Sequence, residues 1–208
     1  MITLGEHVSI FGITGSGKST LTGQLAGAFP RRVIFDRLGE WNLYETPYVS
    51  DFRTFAHTYE QVYKNESFTI VFKPRPGLDH ETLLHEINQV IALIYRVEAQ
   101  EPRGVALIFE EVWLYAPLHS MPPWFQETLL TGRHHRISVI GNSQRPASVS
   151  KVFISQCRHV FVGQYFESRD RKYFEETFGR IPELDKPPEK FHFWWFRTAQ
   201  KPVLVSTR

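Results

Sequence analysis

A glycine-rich stretch near the start of the chain has the residue types and spacing of a phosphate-binding loop. Residues 12–19 read Gly-x-x-x-x-Gly-Lys-Ser. Glycines allow backbone conformations closed to residues with a Cβ, so the N–H groups of the loop can form a concave anion site. In this motif Lys18 is expected to reach the β- and γ-phosphates and Ser19 to offer its hydroxyl to Mg²⁺. The residues predicted to hold a nucleotide are Gly12, Thr14, Gly15, Ser16, Gly17, Lys18, Ser19 and Thr20.

The segments on either side of this loop are those that a phosphate-binding loop requires. His7 to Phe11 is a short apolar run, typical of a buried strand. After the loop, apolar residues recur at helical spacing, so a helix is predicted to begin at about Ser19; these residues are Leu21, Leu25 and Ala28 or Phe29. A chance glycine-rich turn would not be expected to have a strand before it and a helix after it.

Two adjacent carboxylates, Glu110 and Glu111, follow a second apolar run at residues 105–109. In nucleotide hydrolases, acids at the carboxyl end of such a strand lie beside the phosphate loop. The first can hold Mg²⁺ through its water shell, and the second can polarise the attacking water. Neighbouring residues of a strand point in opposite directions, so the two acids are not expected to share one role. A plain strand end is the alternative.

Other polar groups follow predicted strands. Asp36 ends the run 32–36 and either faces a ligand crevice or caps a turn. Gln144 comes shortly after the predicted strand 137–141, where an amide could sense the γ-phosphate or position water. The cationic cluster 131–136 contains Arg133 and Arg136; it is either a charged helix end or a source of positive charge for the transferred phosphate. Its paired histidines lack a cysteine or third histidine at ligand spacing, so we do not predict a metal site there.

Hydrophobic periodicity along the rest of the chain predicts an α/β fold with a central, mostly parallel sheet flanked by helices. The final two strands are expected to form a hairpin, whose aromatic run 193–196 suits edge-strand packing better than base stacking. The further elements predicted are residues 48–64 (extended, then helical), strand 67–72, helix 79–98, helix 123–133, a short helix or turn at 149–154, strand 159–163, helix 168–178, and strands 191–197 and 203–206.

Composition describes a globular chain of 208 residues, 42% hydrophobic and 22% charged, which predicts one domain over residues 1–208. We expect its core at about 1–180 and its C-terminal strands at about 190–206. The formal charge of +2 excludes a global basic field, so any DNA contact must be local or come from the assembly of several copies. The single cysteine, Cys157, cannot form an internal disulfide, which favours a reducing compartment. No apolar run reaches the length of a membrane span, and we expect no leader segment.

An ordered series of motifs resembles the HerA–FtsK superfamily of DNA-translocating ATPases, from the first strand to about Gly163. The phosphate loop is common to many families, whereas Gln-Arg-Pro with Ser-Gln-Cys downstream is more specific. The motifs are Gly-x-Thr-Gly-Ser-Gly-Lys-Ser-Thr at 12–20, Asp36 with Gly39-Glu40-Trp41, Phe-Glu-Glu at 109–111, Gly132-Arg133, Ser-Gln-Arg-Pro at 143–146, Val149, and Ser155-Gln156-Cys157.

This resemblance implies a RecA-like (ASCE) P-loop NTPase fold and a ring, usually hexameric, that pumps double-stranded DNA by ATP hydrolysis with Mg²⁺. A bare ATPase core is most similar to the genome-packaging ATPases of membrane-containing icosahedral viruses. That likeness implies capsid or vertex proteins as partners and a cytoplasmic location, in the host cytoplasm or the virion. Lys73, Arg75 and the segment 117–124 are candidates for DNA or neighbour contact; a solvated basic loop at 73–77 is the alternative.

The resemblance also implies roles for individual residues. Glu110 matches the metal-associated acid, Glu111 the catalytic base and Gln144 the sensor glutamine, while Arg133 matches the arginine of the Gly-Arg motif. Two positions depart from the family pattern. The metal-associated acid is usually Asp, and Arg136 stands where relatives often have Gly, so Arg133 and Arg136 compete for the role of arginine finger.

Three other functions remain open from the sequence. A HerA-like helicase core acting at DNA ends would need a nuclease partner. A small-molecule kinase of the nucleotide type would fit the chain length, although the pairing of Glu111 with Gln144 suits attack by water better than transfer to a substrate. A non-hydrolysing nucleotide switch or structural ring would require Glu111 to take no part in chemistry.

Overall fold

The computed structural model describes residues 2–39, 41, 46, 48–165, 168–179, 181–197 and 200–208, with only the backbone of residues 168 and 169. Glu40, part of the motif around Trp41, lies outside the described residues. The strands are β1 (His7–Phe11), β2 (Arg31–Phe35), β3 (Tyr48–Val49), β4 (Phe68–Phe72), β5 (Val105–Phe109), β6 (Ile137–Ser143), β7 (Cys157–Val162), β8 (His192–Arg197) and β9 (Val203–Ser206). The α-helices are α1 (Lys18–Gly27), α2 (Phe52–Val62), α3 (His80–Gln100), α4 (Pro123–Thr131), α5 (Lys151–Gln156) and α6 (Ser168–Phe178).

Within the described residues, all strands join one sheet in the order β3-β4-β2-β5-β6-β1-β7-β8-β9. Strands β1 to β7 all run parallel, and β8 and β9 add an antiparallel hairpin at one side. Both the predicted parallel α/β sheet and the predicted C-terminal hairpin are therefore confirmed. Every residue of the central strands β1 and β5 is buried, because helices cover both faces of a parallel sheet.

Alternate residues of the central strands serve two separate apolar layers, one on each face of the sheet. In β5, Leu107 and Phe109 belong to the larger layer, whereas Ile108 packs into the smaller one. The larger layer is rich in aromatic rings: Phe109 stacks on Phe35 with ring centroids 4.3 Å apart and on Phe125 at 4.6 Å. The period of two in a strand places every second side chain on the same face.

Several boundaries and one packing prediction differ from those expected from the sequence. Strand β6 continues past Gly141 through Asn142 and Ser143, both buried. Helix α4 ends at Thr131 and is followed by a 3₁₀ turn over Gly132–His135 rather than by two more helical residues. The aromatic run 193–196 lies in β8, between β7 and β9. The predicted edge-strand packing of that run is therefore wrong, because the hairpin places β9 at the edge.

None of the helices in the described part of the chain is both long and apolar enough to span a membrane.

A buried ion pair joins three elements at the amino-terminal end of the sheet. Arg31, which begins β2, donates to Glu98 of α3 at 2.9 Å, and the two side chains are 4% and 0% exposed. The same guanidinium donates to the carbonyls of Tyr63 (2.7 Å) and Gly104 (3.1 Å). The other carboxylate oxygen of Glu98 accepts the N–H groups of Arg103 (3.0 Å) and Gly104 (2.7 Å). These bonds tie the end of α3 to the start of β2 and to the turn before β5.

His7 is held as a neutral ring inside the protein. It is 4% exposed. Its Nδ1 accepts the N–H of Val139 at 3.1 Å, which requires the proton to be on Nε2, and Nε2 lies 3.1 Å from the carbonyl oxygen of Leu129. Burial lowers the pKa of His7 from 6.5 to about 4. Protonation would break the bond to Val139 and place a charge in an apolar setting.

The low pKa of His7 predicts acid sensitivity. The unfolded chain takes up this proton first as the pH falls, so stability is lost between pH 6.5 and pH 4. We expect a loss of about 2 kcal/mol in the free energy of unfolding between pH 7 and pH 5. Urea unfolding at pH 7 and pH 5 measures this loss of stability. The His7→Gln variant, which lacks the titrating ring, should lose less stability between the two pH values. Parallel losses in both proteins would exclude His7 as the cause.

Candidate active site

The loop between β1 and α1 has the backbone of an anion cradle. Gly17, at the start of α1, has a φ of 102°, in the left-handed region where glycine is favoured. A Cβ on Gly12 would lie 2.7 Å from the hydroxyl oxygen of Ser16, so any other residue there would force Ser16 to move. The N–H of Ile13 donates to the carbonyl of Gln164 at 2.8 Å, which fastens the loop to the end of β7.

The polar groups of this loop fit a bound triphosphate. Ser16 is fully buried, and its hydroxyl has no hydrogen-bond partner among the described residues. Lys18 is 8% exposed, and its ammonium donates to the carbonyl of Ile13 at 3.0 Å, across the loop. Ser19 and Thr20 are exposed in the first turn of α1, which carries no acidic residue there. The positive end of a helix whose first turn carries no acid attracts an anion.

The two acids after β5 contact different partners. Glu110 is 1% exposed; its Oε2 accepts from Nδ2 of Asn142 at 2.6 Å and its Oε1 from Nε1 of Trp41 at 2.5 Å. Oε2 of Glu111 lies 3.4 Å from the hydroxyl of Ser143 and 3.3 Å from the N–H of Gln144. The two carboxylates thus face different surroundings, although both residues lie beyond the end of β5 and not within it. The hydroxyl of Ser19 and the carboxylate of Glu110 are hard oxygen ligands of the kind Mg²⁺ prefers.

Glu111 has a left-handed backbone, with a φ of 54° and a ψ of 63°. This region is uncommon for residues other than glycine and persists where surrounding contacts hold it. The N–H of Glu111 donates to Oδ1 of Asn142 at 3.2 Å, which supplies one such contact. The turn ends β5 and directs the Glu111 carboxylate toward the end of β6.

Asn142 is a site residue that the sequence did not single out. Its Oδ1 accepts from Glu111, and its Nδ2 donates both to Glu110 and to the hydroxyl of Thr22 in α1 at 3.0 Å. It therefore connects both acids to the helix that follows the phosphate loop. The sequence does show an amide residue directly after a predicted strand, which is a signal for a site residue. Its hydrogen-bond partners could not be predicted, because they depend on β6 lying between β5 and β1.

Gln144 connects the acids to the phosphate loop. Its backbone N–H contacts Glu111, and its Oε1 accepts from the hydroxyl of Thr14 at 2.6 Å. The side chain is exposed, so it can meet a ligand held by the loop. The structure thus brings together three groups chosen from the sequence, namely Glu111, Gln144 and the loop residue Thr14.

The structure does not bring Arg133 and Arg136 to this site. Arg133 lies in the 3₁₀ turn before β6, and the carbonyl of Arg136 accepts the N–H of Val105, at the start of β5. Strand β6 has seven residues. At about 3.3 Å per residue, its two ends are about 20 Å apart. Within one chain, therefore, the predicted catalytic role of these arginines does not hold, because both precede the strand whose far end carries the site.

Asp36 caps a turn, one of the two alternatives open from the sequence. It is fully buried, and its carboxylate accepts the N–H groups of Gly39 at 2.8 Å and Trp41 at 2.9 Å. These bonds shape the segment from which Trp41 reaches Glu110. Asp36 therefore contributes to the site through Trp41.

The same fold occurs in solved structures of other proteins. The genome packaging NTPase B204 from Sulfolobus turreted icosahedral virus 2, in complex with sulfate, matches 99% of this chain and 98% of its own with a TM-score of 0.76 and 14% identity. VirB4 of Thermoanaerobacter pseudethanolicus matches 96% of this chain and 88% of its own, with a TM-score of 0.70 and 9% identity. The bacterial conjugative coupling protein TrwBΔN70 matches 98% of this chain and 85% of its own, with a TM-score of 0.65 and 12% identity.

No protein-family model and no curated protein sequence matches the chain. The structural neighbours are P-loop ATPases of the HerA–FtsK type, so the fold expected from the sequence resemblance is confirmed. At identities of 9–14%, this likeness is one of fold. What the chain does must be argued from its own residues.

Proposed function

We propose that the chain is an ATPase that translocates double-stranded DNA, most specifically the motor of viral genome packaging. The observation that carries the proposal is the contact of Glu111 with Gln144, and of Gln144 with Thr14 of the phosphate loop. An acid and an amide beside the loop suit attack of water on a γ-phosphate. B204, whose fold this chain shares, has been solved in complex with ATP-gammaS and with AMPPCP, which supports a nucleoside triphosphate as ligand.

The chemistry assigns one role to each side chain. Lys18 places its positive charge on the β- and γ-phosphates, and the loop N–H groups hold them in line for attack. The Glu111 carboxylate accepts a proton from the attacking water, and the amide of Gln144 orients that water. Ser19 and Glu110 would hold Mg²⁺, which supplies positive charge to the triphosphate when bound. The products are ADP and inorganic phosphate.

A ring is the second part of the proposal, most specifically a hexamer. A single chain leaves the site without an arginine from the cluster 131–136, because that cluster lies at the opposite end of β6. Both Arg133 and Arg136 are exposed, so either can reach a site on a neighbouring copy. An arginine supplied by a neighbour stabilises the charge on the transferred phosphate. In this arrangement hydrolysis requires assembly.

The third part of the proposal concerns DNA. Lys73 follows β4 at the same end of the sheet as the acids and is exposed, and its ammonium lies against Gly39 of the turn that leads to Trp41. Arg75 is 63% exposed and pairs with Asp51 at 2.7 Å. Cations on such a loop can bind DNA phosphates without reading bases. Capsid or vertex proteins would be the docking partners of a packaging ring.

DNA-stimulated hydrolysis tests the proposal. We expect ATP hydrolysis to rise when double-stranded DNA is added and the stimulation to weaken with salt, because phosphate contacts are salt-dependent. Specific activity should also rise with protein concentration, since the site needs an arginine from a neighbour. The measurement is phosphate release over a range of DNA, salt and protein concentrations. Turnover that responds to a nucleoside or nucleotide, and not to DNA, would favour the small-molecule kinase instead.

A further inference from the structure

The segment before β8 and the segment after β9 meet at the phosphate loop. The N–H of Phe191 donates to the carbonyl of Ser16 at 2.9 Å. The carbonyl of Phe191 accepts the N–H of Thr207 at 3.0 Å and its hydroxyl at 3.3 Å. The carbonyl of Thr207 in turn accepts from the side chain of Gln24, on α1, at 3.1 Å. Phe191 is thus held from the loop, from the hairpin and from the helix.

Phe191 has an unusual backbone for an aromatic residue, with a φ of 66°. This left-handed conformation is unfavourable for a bulky side chain and persists only where the surroundings impose it. With this backbone conformation, the half-buried ring of Phe191 lies against Gly17. A Cβ added to Gly17 would be 2.7 Å from the Cδ1 of Phe191. An aromatic ring is therefore placed directly beside the loop predicted to hold the phosphates.

Two cations lie over this ring. The ammonium of Lys190 is 5.0 Å from the ring centroid of Phe191, and the guanidinium carbon of Arg208 is 4.5 Å from it. Both side chains are exposed. The electron-rich face of the ring attracts these cations, so a flat ligand that stacks on this face takes the place of a cation there. The cluster combines a flat apolar surface with positive charge, as required beside a triphosphate.

The sheet order gives the direction in which a nucleotide must lie. The acids and Gln144 follow β5 and β6, on one side of β1, whereas Phe191 precedes β8, beyond β7 on the other side. The γ-phosphate must lie beside Glu111 for water to attack it. The sugar and base then leave the loop on the opposite side, toward Phe191. Because β8 runs antiparallel to β7, its start lies at the same end of the sheet as the loop.

We propose that the ring of Phe191 is the stacking surface for the base of the nucleotide, with Lys190 and Arg208 beside it. The inference deepens the nucleotide site described under the proposed function and rests on it. Stacking reads the flat face of a base, which every nucleobase has, so it adds affinity without selecting one base.

The test compares an ATP analogue with a ligand that has phosphates but no base. ATP-gammaS and inorganic tripolyphosphate, each with Mg²⁺, are titrated calorimetrically into the wild type, Phe191→Gly and Phe191→Tyr. Glycine suits the left-handed backbone, so Phe191→Gly removes the ring without adding strain. We expect it to weaken ATP-gammaS binding roughly 5- to 100-fold and to change tripolyphosphate binding less than twofold, whereas Phe191→Tyr should resemble the wild type.

The outcomes separate the inference from the proposed function. Equal losses for both ligands in Phe191→Gly would show that the ring only supports the loop, and unchanged affinity for both would show that no base stacks there. Either result overturns the inference and leaves the phosphate site in place. A wild type that binds neither ligand overturns the proposed function, and the inference with it.

Discussion

Glu111→Gln is expected to lower the rate of ATP hydrolysis by about 10²- to 10⁴-fold, because the amide cannot take a proton from the attacking water. Nucleotide binding should persist, since Lys18, Ser19 and the loop N–H groups are untouched. The contacts of Glu111 with Ser143 and Gln144 can be kept by the oxygen of the new amide. The substitution therefore removes the proposed base and preserves the shape of the site.

Phosphate release with and without double-stranded DNA, together with binding of ATP-gammaS, measures this effect. Glu101→Gln is the matched control. Glu101 is 63% exposed and pairs with Arg103 before β5, at the far end of the sheet. The Glu101→Gln variant should therefore hydrolyse ATP at the wild-type rate. Substantial hydrolysis in Glu111→Gln would assign the base to another residue. Loss of ATP-gammaS binding would show that Glu111 holds the loop itself.

Glu98→Gln is expected to lower the free energy of unfolding by about 3–5 kcal/mol. The neutral amide leaves the guanidinium of Arg31 buried without its counter-charge, and it offers one acceptor oxygen where the carboxylate has two. Arg103 and Gly104 bond to one of these oxygens and Arg31 to the other, so not all contacts can survive. The total stability of a domain is about 5–15 kcal/mol, so the midpoint of unfolding should move to a much lower urea concentration in this variant.

Urea unfolding followed by circular dichroism measures the loss. Glu176→Gln is the exposed counterpart: Glu176 is 63% exposed and lies 3.8 Å from Lys172, so its loss should be near the error of the measurement. The double variant Arg31→Met with Glu98→Leu should recover much of the stability, because replacing the pair by apolar residues leaves no buried charge without a partner. Equal losses in the single and double variants would show that the hydrogen bonds from this pair to the backbone, and not its paired charges, make it important.

The phosphate loop and the two acids could be predicted because their signals are local. A glycine spacing, a Lys-Ser pair and an apolar strand that ends in Glu-Glu are each contained in a few adjacent residues. Their meeting also follows from a general rule, since the carboxyl ends of parallel strands lie at one edge of the sheet. The contact between Glu111 and Gln144 is the result.

Asn142, Trp41 and Phe191 could not be assigned in this way. Each reaches the site from a segment far along the chain: Trp41 lies 69 positions from Glu110, and Asn142 lies 120 positions from Thr22. Nothing in the residues around Phe191 shows that it adopts a left-handed backbone against Gly17. The arginines show the converse, because a motif in the right order along the chain lies at the wrong end of β6 for its own site.

The sequence by itself determined the α/β class, the strands and helices, the loop that suits a phosphate and the acids beside it. Periodicity and local motifs act over a few residues, so they can be read without knowing the neighbours. Only the tertiary structure decided which strands are adjacent, and this adjacency is set by the packing of two apolar layers on the sheet. That order places Asn142 between the acids and α1, carries Phe191 to the phosphate loop, and puts Arg133 and Arg136 at the end of β6 that is far from the acids.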